Sequence, residues 1–252
     1  MFKKFILASA FMISASFASW DLFPVLEKHK GEAMVSINEQ MKSDLYVTAF
    51  IAGARFSVID NLELGLKIPY VVYAEHKDRK INMSGLGNLT LLTRYQFIPT
   101  MNAFVDVNIP VGDESYNPKN VWTFSAGAQF STTINDRMII GSELSTTIST
   151  KGDYKSAPWV LNAGLVLEFP VLPLFSPYFG SEMHFSLGNF VDTDGYQYSH
   201  GGGEVGFTPF MGAKYAINNF FTIDASTRFF LGEHYYGIHT TTTFSVAALF
   251  KF

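Results

Sequence analysis

Polar and apolar residues alternate with a period of two along the last segment of the chain. The face that contains the terminal phenylalanine is apolar and the other face is mixed; the positions of the apolar face are Thr242, Phe244, Val246, Ala248, Phe250 and Phe252. Successive side chains of a β-strand point to opposite faces, so this pattern predicts a strand with one apolar face.

The same alternation recurs in earlier segments. Leu64 and Leu66 alternate with Glu63 and Lys67, and farther along the chain Trp159, Leu161, Ala163 and Leu165 fall opposite Asn162 and Gly164. Each segment is followed in turn by a short polar turn or a longer polar loop. Pro, Asn and Asp occupy the short turns, as in Ile59-Asp60-Asn61 and Ile98-Pro99-Thr100, because they fix φ or tolerate left-handed conformations. This recurrence predicts a series of antiparallel hairpins.

Counting hairpins backwards from the C-terminus gives eleven strands. The segment Glu32 to Met41, in which Ala33, Val35 and Ile37 share a face, supplies a twelfth. An even number places both termini at the same end, although ten or fourteen strands stay open as alternatives. The predicted strands are 32–41, 45–58, 62–72, 86–97, 102–111, 120–132, 137–149, 158–169, 177–188, 204–216, 220–232 and 239–252.

The first 18 residues predict a secretory signal peptide. Lys3 and Lys4 precede an apolar run, and Ser16-Phe17-Ala18 supplies the small residues that a signal peptidase requires. The run is shorter than the roughly 20 residues of a membrane-spanning helix. We therefore expect residues 1–18 to be removed, residues 19–31 to form a short periplasmic or luminal segment, and residues 32–252 to form one barrel.

The composition favours a membrane-embedded barrel over a soluble β-sheet protein. Hydrophobic residues make up 48% of the chain and aromatic residues 16%, yet polar residues interrupt the apolar runs after residue 18 every few positions. Only every second residue of a transmembrane barrel faces lipid, so a closed barrel accounts for both observations. The predicted fold class is all-β: a transmembrane antiparallel up-and-down β-barrel of about 12 strands in the cell outer membrane, in contact with its lipid.

The chain termini and the charge point to partners. A C-terminal aromatic on an amphipathic strand is typical of the signal that the outer-membrane barrel assembly machinery reads, so Phe252 is the predicted assembly signal, although a buried edge strand of a soluble sheet shows the same alternation. The chain has no cysteine, which excludes a disulfide framework. Its formal net charge is −4 and no basic patch is visible, which argues against a nucleic-acid partner.

Charged residues fall opposite the apolar faces. An arginine on the lipid face at mid-membrane costs about 2–4 kcal/mol, so these side chains are predicted to line the lumen. The predicted lumen-lining residues are Arg55, Glu63, Lys67, Arg94, Asp106, Glu143, Glu168, Glu182, His184, Glu204, Lys214, Asp224 and Arg228. Each has an alternative role, in which it pairs with an opposite charge and fills the interior.

One constellation resembles catalytic chemistry. His184 and Ser186 lie two positions apart and share a face, which is the His-x-Ser spacing of outer-membrane phospholipases. The register turns both side chains inward, away from lipid, so lipid hydrolysis is the least favoured interpretation. Asp192 and Asp194 lack the further ligands of a calcium loop. We predict no catalytic, cofactor-binding or metal-binding residue and expect the protein not to be an enzyme.

The segments 64–69, 85–95 and 105–113 resemble a family of exported proteins named for the MetA pathway of phenol degradation. The shared pattern is an apolar strand that ends in proline (Leu64-Gly65-Leu66-Lys67-Ile68-Pro69), a glycine-rich strand start (Gly85-Leu86-Gly87-Asn88), and a strand that closes in Pro110-Val111-Gly112-Asp113. Gly87-Asn88 stands where the family often has Gly-Asp. The resemblance implies an outer-membrane barrel that transports hydrophobic or aromatic compounds, and it implies no established catalytic residue.

The function predicted from the sequence is a passive channel for small, hydrophobic or aromatic solutes. Eight-stranded barrels are filled by side chains and 16–18-stranded porins hold an aqueous channel, so twelve strands leave room for a narrow lumen. Phe104, Phe210 and Phe230 fall on the inward face, where they would offer apolar contact to a solute or act as filler. The alternative is a plugged barrel with a structural or surface-binding role.

Overall fold

The structure is a computed structural model that describes residues 25–42, 45–76, 84–113, 120–135, 137–188, 191, 205–231 and 241–252. The described residues form strands and turns, and none of them is helical. The strands are β1 (Gly31–Lys42), β2 (Leu45–Ile59), β3 (Leu62–His76), β4 (Gly85–Leu86), β5 (Leu89–Ile98), β6 (Met101–Ile109), β7 (Thr123–Ile134), β8 (Met138–Ser149), β9 (Trp159–Glu168), β10 (Phe175–Leu187), β11 (Val205–Ala216), β12 (Phe221–Phe230) and β13 (Thr241–Lys251). The predicted signal peptide, residues 19–24 and Glu204 lie outside the described residues.

The sheet closes on itself into a barrel. Apart from β4 and β5, strands adjacent in sequence pair antiparallel, and β13 also pairs with β1, where Lys251 lies opposite Glu32. The two-residue strand β4 and strand β5 both pair with β3 and together occupy one position in the wall. The wall therefore has twelve strand positions, and the predicted all-β, twelve-stranded barrel is confirmed.

The predicted strand limits agree with the observed ones except in the wall formed by β3 to β7. Strand β3 continues to His76, beyond the predicted end at residue 72, because its last residues still pair with the start of β2. The predicted strand 86–97 is broken at Gly87-Asn88, between β4 and β5. The cause is a bulge opposite Pro69, whose carbonyl oxygen accepts a hydrogen bond from Gly87 N at 2.8 Å. A Cβ on Gly87 would lie 2.6 Å from Pro69 Cγ, so only glycine fits there.

A second group of contacts holds the broken strand in place. Leu86 N donates to Asp113 Oδ2 at 2.8 Å, and Asp113 N donates to Leu86 O at 2.8 Å. Gly112 N donates to Asn88 Oδ1 at 3.2 Å. The short motifs on which the sequence resemblance rests therefore meet in one patch of the wall, where they replace regular ladder hydrogen bonds.

The outward face of the barrel is apolar. Along β3 the side chains of Leu64 and Leu66 are exposed, whereas those of Glu63 and Lys67 are buried. Trp122 and Trp159 are also exposed on the outward face. Exposed aromatic side chains also lie at the ends of strands next to the short turns, namely Phe56, Phe97, Tyr215 and Phe252. Aromatic girdles of this kind flank the apolar band of outer-membrane barrels.

Both ends of the described chain lie at the end of the barrel that carries the short turns. Gly31 N donates to Phe252 O at 2.8 Å, beside the turns that follow β2, β5, β7, β9 and β11. Asn61 and Asn135, in two of these turns, have φ of 68° and 51°, a left-handed conformation that asparagine tolerates. The longer connections join the strands at the opposite end.

Candidate functional site

The inner wall of the barrel holds the charged residues that the sequence singled out. Twelve of the thirteen lie in the described part of the chain, and all twelve occupy positions that alternate with outward-facing neighbours. Buried members are Arg55, Glu63, Lys67, Arg94, Glu168, Asp224 and Arg228, and half-buried members are Asp106, Glu143, Glu182, His184 and Lys214. The cross-strand register gathers most of them into ion-paired clusters.

The first cluster lies near the short-turn end and joins two carboxylates through one arginine. Arg55 donates to Glu32 Oε1 from Nη2 at 3.0 Å and from Nε at 3.2 Å. Its Nη1 lies 3.6 Å from Glu63 Oε1. Leu26 N donates to the other carboxylate oxygen of Glu63 at 3.0 Å. The cluster therefore also fixes the segment that precedes β1 against the inner wall.

The second cluster places an arginine over a phenylalanine. The guanidinium of Arg94 lies 4.7 Å from the ring centroid of Phe104, which is its direct cross-strand partner. Both terminal nitrogens of Arg94 donate to Asp106, Nη2 to Oδ2 at 3.1 Å and Nη1 to Oδ1. The planar guanidinium is thus held on one face by the ring and along one edge by the carboxylate.

The third cluster repeats this arrangement on strands β10 to β12. The guanidinium of Arg228 lies 4.7 Å from the ring centroid of Phe210, again its direct cross-strand partner. The two terminal nitrogens donate to the two oxygens of Glu182, each at 3.1 Å. His184 Nε2 lies 3.8 Å from Glu182 Oε2, so the imidazole sits beside the same carboxylate.

A fourth cluster packs aromatic rings flat against the wall next to charged groups. Tyr178 Oη donates to Asp224 Oδ1 at 2.6 Å, and Lys214 Nζ donates to Glu168 Oε2 at 2.8 Å. A Cβ on Gly212 would lie 2.5 Å from Tyr178 Cζ, and a Cβ on Gly180 would lie 2.4 Å from Phe210 Cζ. Each ring therefore occupies the space that a glycine leaves on the neighbouring strand, which keeps it out of the central lumen.

Strands β7 to β9 carry a wall of small polar side chains. Ser125 and Thr147 hydroxyls lie 2.9 Å apart, and Asn162 Nδ2 donates to Thr147 Oγ1 at 3.0 Å. Glu143 accepts hydrogen bonds from Gln129 Nε2 and from Ser145 Oγ, both at 2.9 Å. These short hydroxyl and amide groups present hydrogen-bonding atoms to the interior of the barrel.

The inner wall of strand β2 is different, because it is apolar from its middle to the long-loop end. Leu45, Val47, Ala49 and Ile51 face inward and are buried, and they cluster with Met34, Val71, Leu92 and Leu249 on neighbouring strands. Strand β2 is thus apolar on both faces over this stretch. The interior therefore has an apolar stripe along β2, although the inward positions of neighbouring β1 include Ser36, Asn38 and Gln40, and it has a polar side around β7 to β10.

The histidine and serine that resemble a hydrolase pair engage other partners. Ser186 Oγ donates to Gly188 O at 3.0 Å. His184 Nδ1 lies 2.9 Å from Asn162 Oδ1, and its ring lies beside Phe230. The serine proton is therefore directed to a backbone carbonyl, and both side chains lie on the inner wall, as the sequence register predicted. This geometry gives no support to lipid hydrolysis.

The inward phenylalanines are packing residues. Phe104, Phe210 and Phe230 are all buried, and guanidinium groups cover the rings of Phe104 and Phe210. Of the two roles open at the sequence level, filler agrees with this burial and apolar contact with a solute does not.

Several inner-wall residues are absent from the predicted lumen-lining set. Glu32, Gln129, Asn162 and Tyr178 each hydrogen-bond to a predicted residue. The alternation of Ala33, Val35 and Ile37 already placed Glu32 on the inward face, so that signal was present. In the predicted strand 177–188 Tyr178 also shares the inward face with His184 and Ser186, but nothing in the sequence indicated its partner Asp224.

The described residues contain no helix long and apolar enough to cross a membrane. Among the same residues no three His, Asp or Glu side chains are grouped as metal ligands would be.

The comparisons with solved structures define the class of protein. The chain is similar to an outer membrane channel from Pseudomonas putida F1, with a TM-score of 0.72 and 14% identity over 92% of this chain and 98% of that one. It is also similar to the translocator domain of the autotransporter NalP from Neisseria meningitidis, with a TM-score of 0.62 and 12% identity over 98% and 96% of the two chains. A monoaromatic hydrocarbon channel, CymD, matches with a TM-score of 0.50 and 9% identity over 90% and 89%. The fold is that of the outer-membrane β-barrels.

The family comparison is more specific. The chain belongs to the family described as "Putative MetA-pathway of phenol degradation", which matches residues 30–229. The resemblance inferred from the three glycine- and proline-containing motifs is thereby confirmed, and with it the outer-membrane location. No match was found among curated protein sequences.

Proposed function

We propose that this protein is a passive outer-membrane channel for small solutes, with aromatic compounds among them. The observation that carries the proposal is the polar side of the interior. On β7 to β9 most inner positions are small or polar, apart from Val160 and Val166, and Ser125, Thr147, Asn162 and Gly164 are half-buried. A closed barrel with such a face offers water and polar solutes a hydrogen-bonding path.

The proposed route follows this polar side. The apolar side around β2 is buried, as its clustered residues show, and so gives a solute little surface. Half-buried charged side chains also lie on the polar side, among them Glu143, Glu182 and His184. We therefore infer that a permeating molecule meets hydroxyl, amide and carboxylate groups.

The solute class rests on the comparisons. The family is named for phenol degradation, and CymD is titled a monoaromatic hydrocarbon channel. A small aromatic compound with a polar substituent, such as a phenol, belongs to this class, and its substituent can hydrogen-bond to the polar side of the interior. No catalytic step is part of the proposal, and transport runs down the concentration gradient of the solute.

Reconstitution of the full mature chain in planar bilayers tests the proposal. We expect discrete single-channel currents, and we expect phenol or catechol added to one side to interrupt them in a concentration-dependent way. A barrel that folds but gives neither current nor flux of small solutes into liposomes would instead be the plugged, structural alternative. Currents that ignore aromatic compounds would leave a channel with a different solute class.

A further inference from the structure

We infer that the lumen prefers cations to anions, and that the carboxylates of Asp106, Glu143 and Glu182 set this preference. The inference rests on the proposed channel function and narrows its solute class. Among aromatic compounds of similar size, the channel would favour ammonium compounds and neutral molecules over carboxylates.

The first argument is an asymmetry within the arginine clusters. The Arg94 side chain is 6% exposed, whereas its partner Asp106 is 19% exposed. The Arg228 side chain is 8% exposed and its partner Glu182 is 17% exposed. In both pairs a phenylalanine ring covers one face of the guanidinium. The interior solvent therefore meets the carboxylate of each pair more than the arginine.

The second argument concerns Glu143, whose hydrogen-bond donors carry no charge. They are the amide of Gln129 and the hydroxyl of Ser145. Two uncharged donors stabilise a carboxylate without neutralising its field. Glu143 therefore adds negative charge to the polar side of the lumen, where the proposed route runs.

The third argument is the space between Glu143 and Glu182. The register places Gly164 between them, opposite Glu143 on one side and opposite Glu182 on the other. A Cβ on Gly164 would lie 3.8 Å from Glu143 Cβ and 3.7 Å from Glu182 Cγ, which are ordinary contact distances. Two acidic side chains thus flank a position without a side chain of its own.

The other charged residues of the inner wall do not cancel the negative charge of Asp106, Glu143 and Glu182. Near the short-turn end, Glu32 and Glu63 are matched in number by Arg55 and Lys67, all of them buried. Lys214 is 17% exposed and its partner Glu168 9% exposed, which is the reverse asymmetry, but Glu168 ends β9 near the short-turn end. Arg94 also acts electrostatically on Glu143, so at this level the three carboxylates of Asp106, Glu143 and Glu182 face the two guanidinium groups of Arg94 and Arg228, with the imidazole of His184 beside Glu182.

The reversal potential of the channel in a KCl gradient measures this preference directly. One carboxylate about 5 Å from a passing ion in a water-like medium favours a monovalent cation roughly fourfold and disfavours a monovalent anion roughly fourfold. We therefore expect a potassium-to-chloride permeability ratio of about 16, the product of the two factors, in the unmodified channel. Benzylammonium should permeate faster than benzoate by a similar factor.

Three variants test which residues cause the cation preference. Glu143→Gln keeps the size of the side chain and should bring the ratio close to 1. Glu182→Gln also exposes Arg228 to the lumen, so its ratio should fall further, to 1 or below. Glu39→Gln makes the same chemical change on the outward face of β1, where Glu39 is exposed, and should leave the ratio unchanged. Heat-modifiable migration on gels confirms that each variant is folded.

The possible outcomes distinguish a failure of the inferred cation preference from a failure of the proposed channel function. A conducting channel with a ratio of 1 or below overturns the inference and leaves the proposed channel intact. A conducting cation-preferring channel whose ratio is unchanged in both Glu143→Gln and Glu182→Gln overturns the assignment to these residues. A folded protein without any conductance overturns the proposed function itself. If Glu143→Gln does not fold, the ratio of the unmodified channel and that of Glu182→Gln still decide the inference.

Discussion

Phe252 closes the barrel against Gly31. Gly31 N donates to Phe252 O at 2.8 Å, and Phe252 N donates to Gly31 O at 2.9 Å, so the last residue of the chain completes the β1–β13 ladder. A Cβ on Gly31 would lie 2.4 Å from Phe252 Cε2. The ring also stacks with that of Phe250, with 6.5 Å between their centroids. The terminal residue therefore has a structural role at the seam in addition to its predicted role as an assembly signal.

Replacement of Gly31 tests the structural role. We predict that Gly31→Val displaces the Phe252 ring and destabilises the folded barrel by about 1–3 kcal/mol, the usual cost of overpacking. The measurement is the temperature at which the folded band is lost on unheated gels. Ala33→Val is the control, because Ala33 lies on the same outward face of the same strand. Equal melting temperatures for the two variants would contradict the proposed contact.

Removal of Phe252 separates assembly from stability. We predict that Phe252→Ala lowers the amount of assembled barrel in the outer membrane more strongly than it lowers the stability of protein refolded in detergent. The reason is that assembly depends on recognition of the terminal aromatic, whereas refolding depends only on contacts such as that with Gly31. Normal membrane yield from a chain that lacks Phe252 would show that it is not the assembly signal.

The period of two explains why so much of the fold was predictable. In β3, for example, alternation places the leucines outward and the charged residues inward. A shift of the strand register by one residue would move Lys67 into lipid. The turn residues at 59–61 and 98–100 fixed the hairpins. Local sequence was therefore enough for the strand number and the pairing order, and for the facing direction of strands with one polar face.

Contacts between non-adjacent strands were not predictable in the same way. Glu182 pairs with Arg228 across the intervening strand β11, and sequence alternation assigns a face but no partner. The break opposite Pro69 depends on the close contact between Pro69 and Gly87. The presence of a proline in the sequence does not predict this contact. The inward apolar stretch of β2 was also hidden, because alternation cannot assign faces to a strand that is apolar on both.

The glycines beneath the aromatic rings are expected to control the width of the lumen. We predict that Gly212→Ala lowers single-channel conductance, because a Cβ 2.5 Å from Tyr178 Cζ must displace the ring towards the lumen. Gly164→Ala is the matched control, since its Cβ would make only contacts of 3.7 Å and longer. Equal conductance in the two variants would mean that the ring of Tyr178 does not border the conducting path.

Cysteine accessibility tests the facing directions in a chain that has no cysteine of its own. We predict that a membrane-impermeant thiol reagent labels Asn162→Cys through the lumen and does not label Leu161→Cys, which faces lipid. Glu63→Cys should also react slowly, because Glu63 is 4% exposed beneath Arg55 and Leu26. Fast labelling at 161 with protection at 162 would invert the register of β9.

Replacing one residue of the Arg228–Glu182 pair should destabilise the barrel more than expected from the effect of replacing both. We predict that Arg228→Met destabilises the barrel by about 1–3 kcal/mol, because it leaves a half-buried carboxylate without its charged donor. Glu182→Met should cost a comparable amount, since it leaves the guanidinium over Phe210 without its acceptor. The double variant should be more stable than the sum of the single losses implies, by about 1 kcal/mol or more, because neither charge is then stranded. Urea unfolding of the reconstituted barrel measures all three free energies. Strictly additive losses would show that the two residues do not interact in the membrane, whatever their distance.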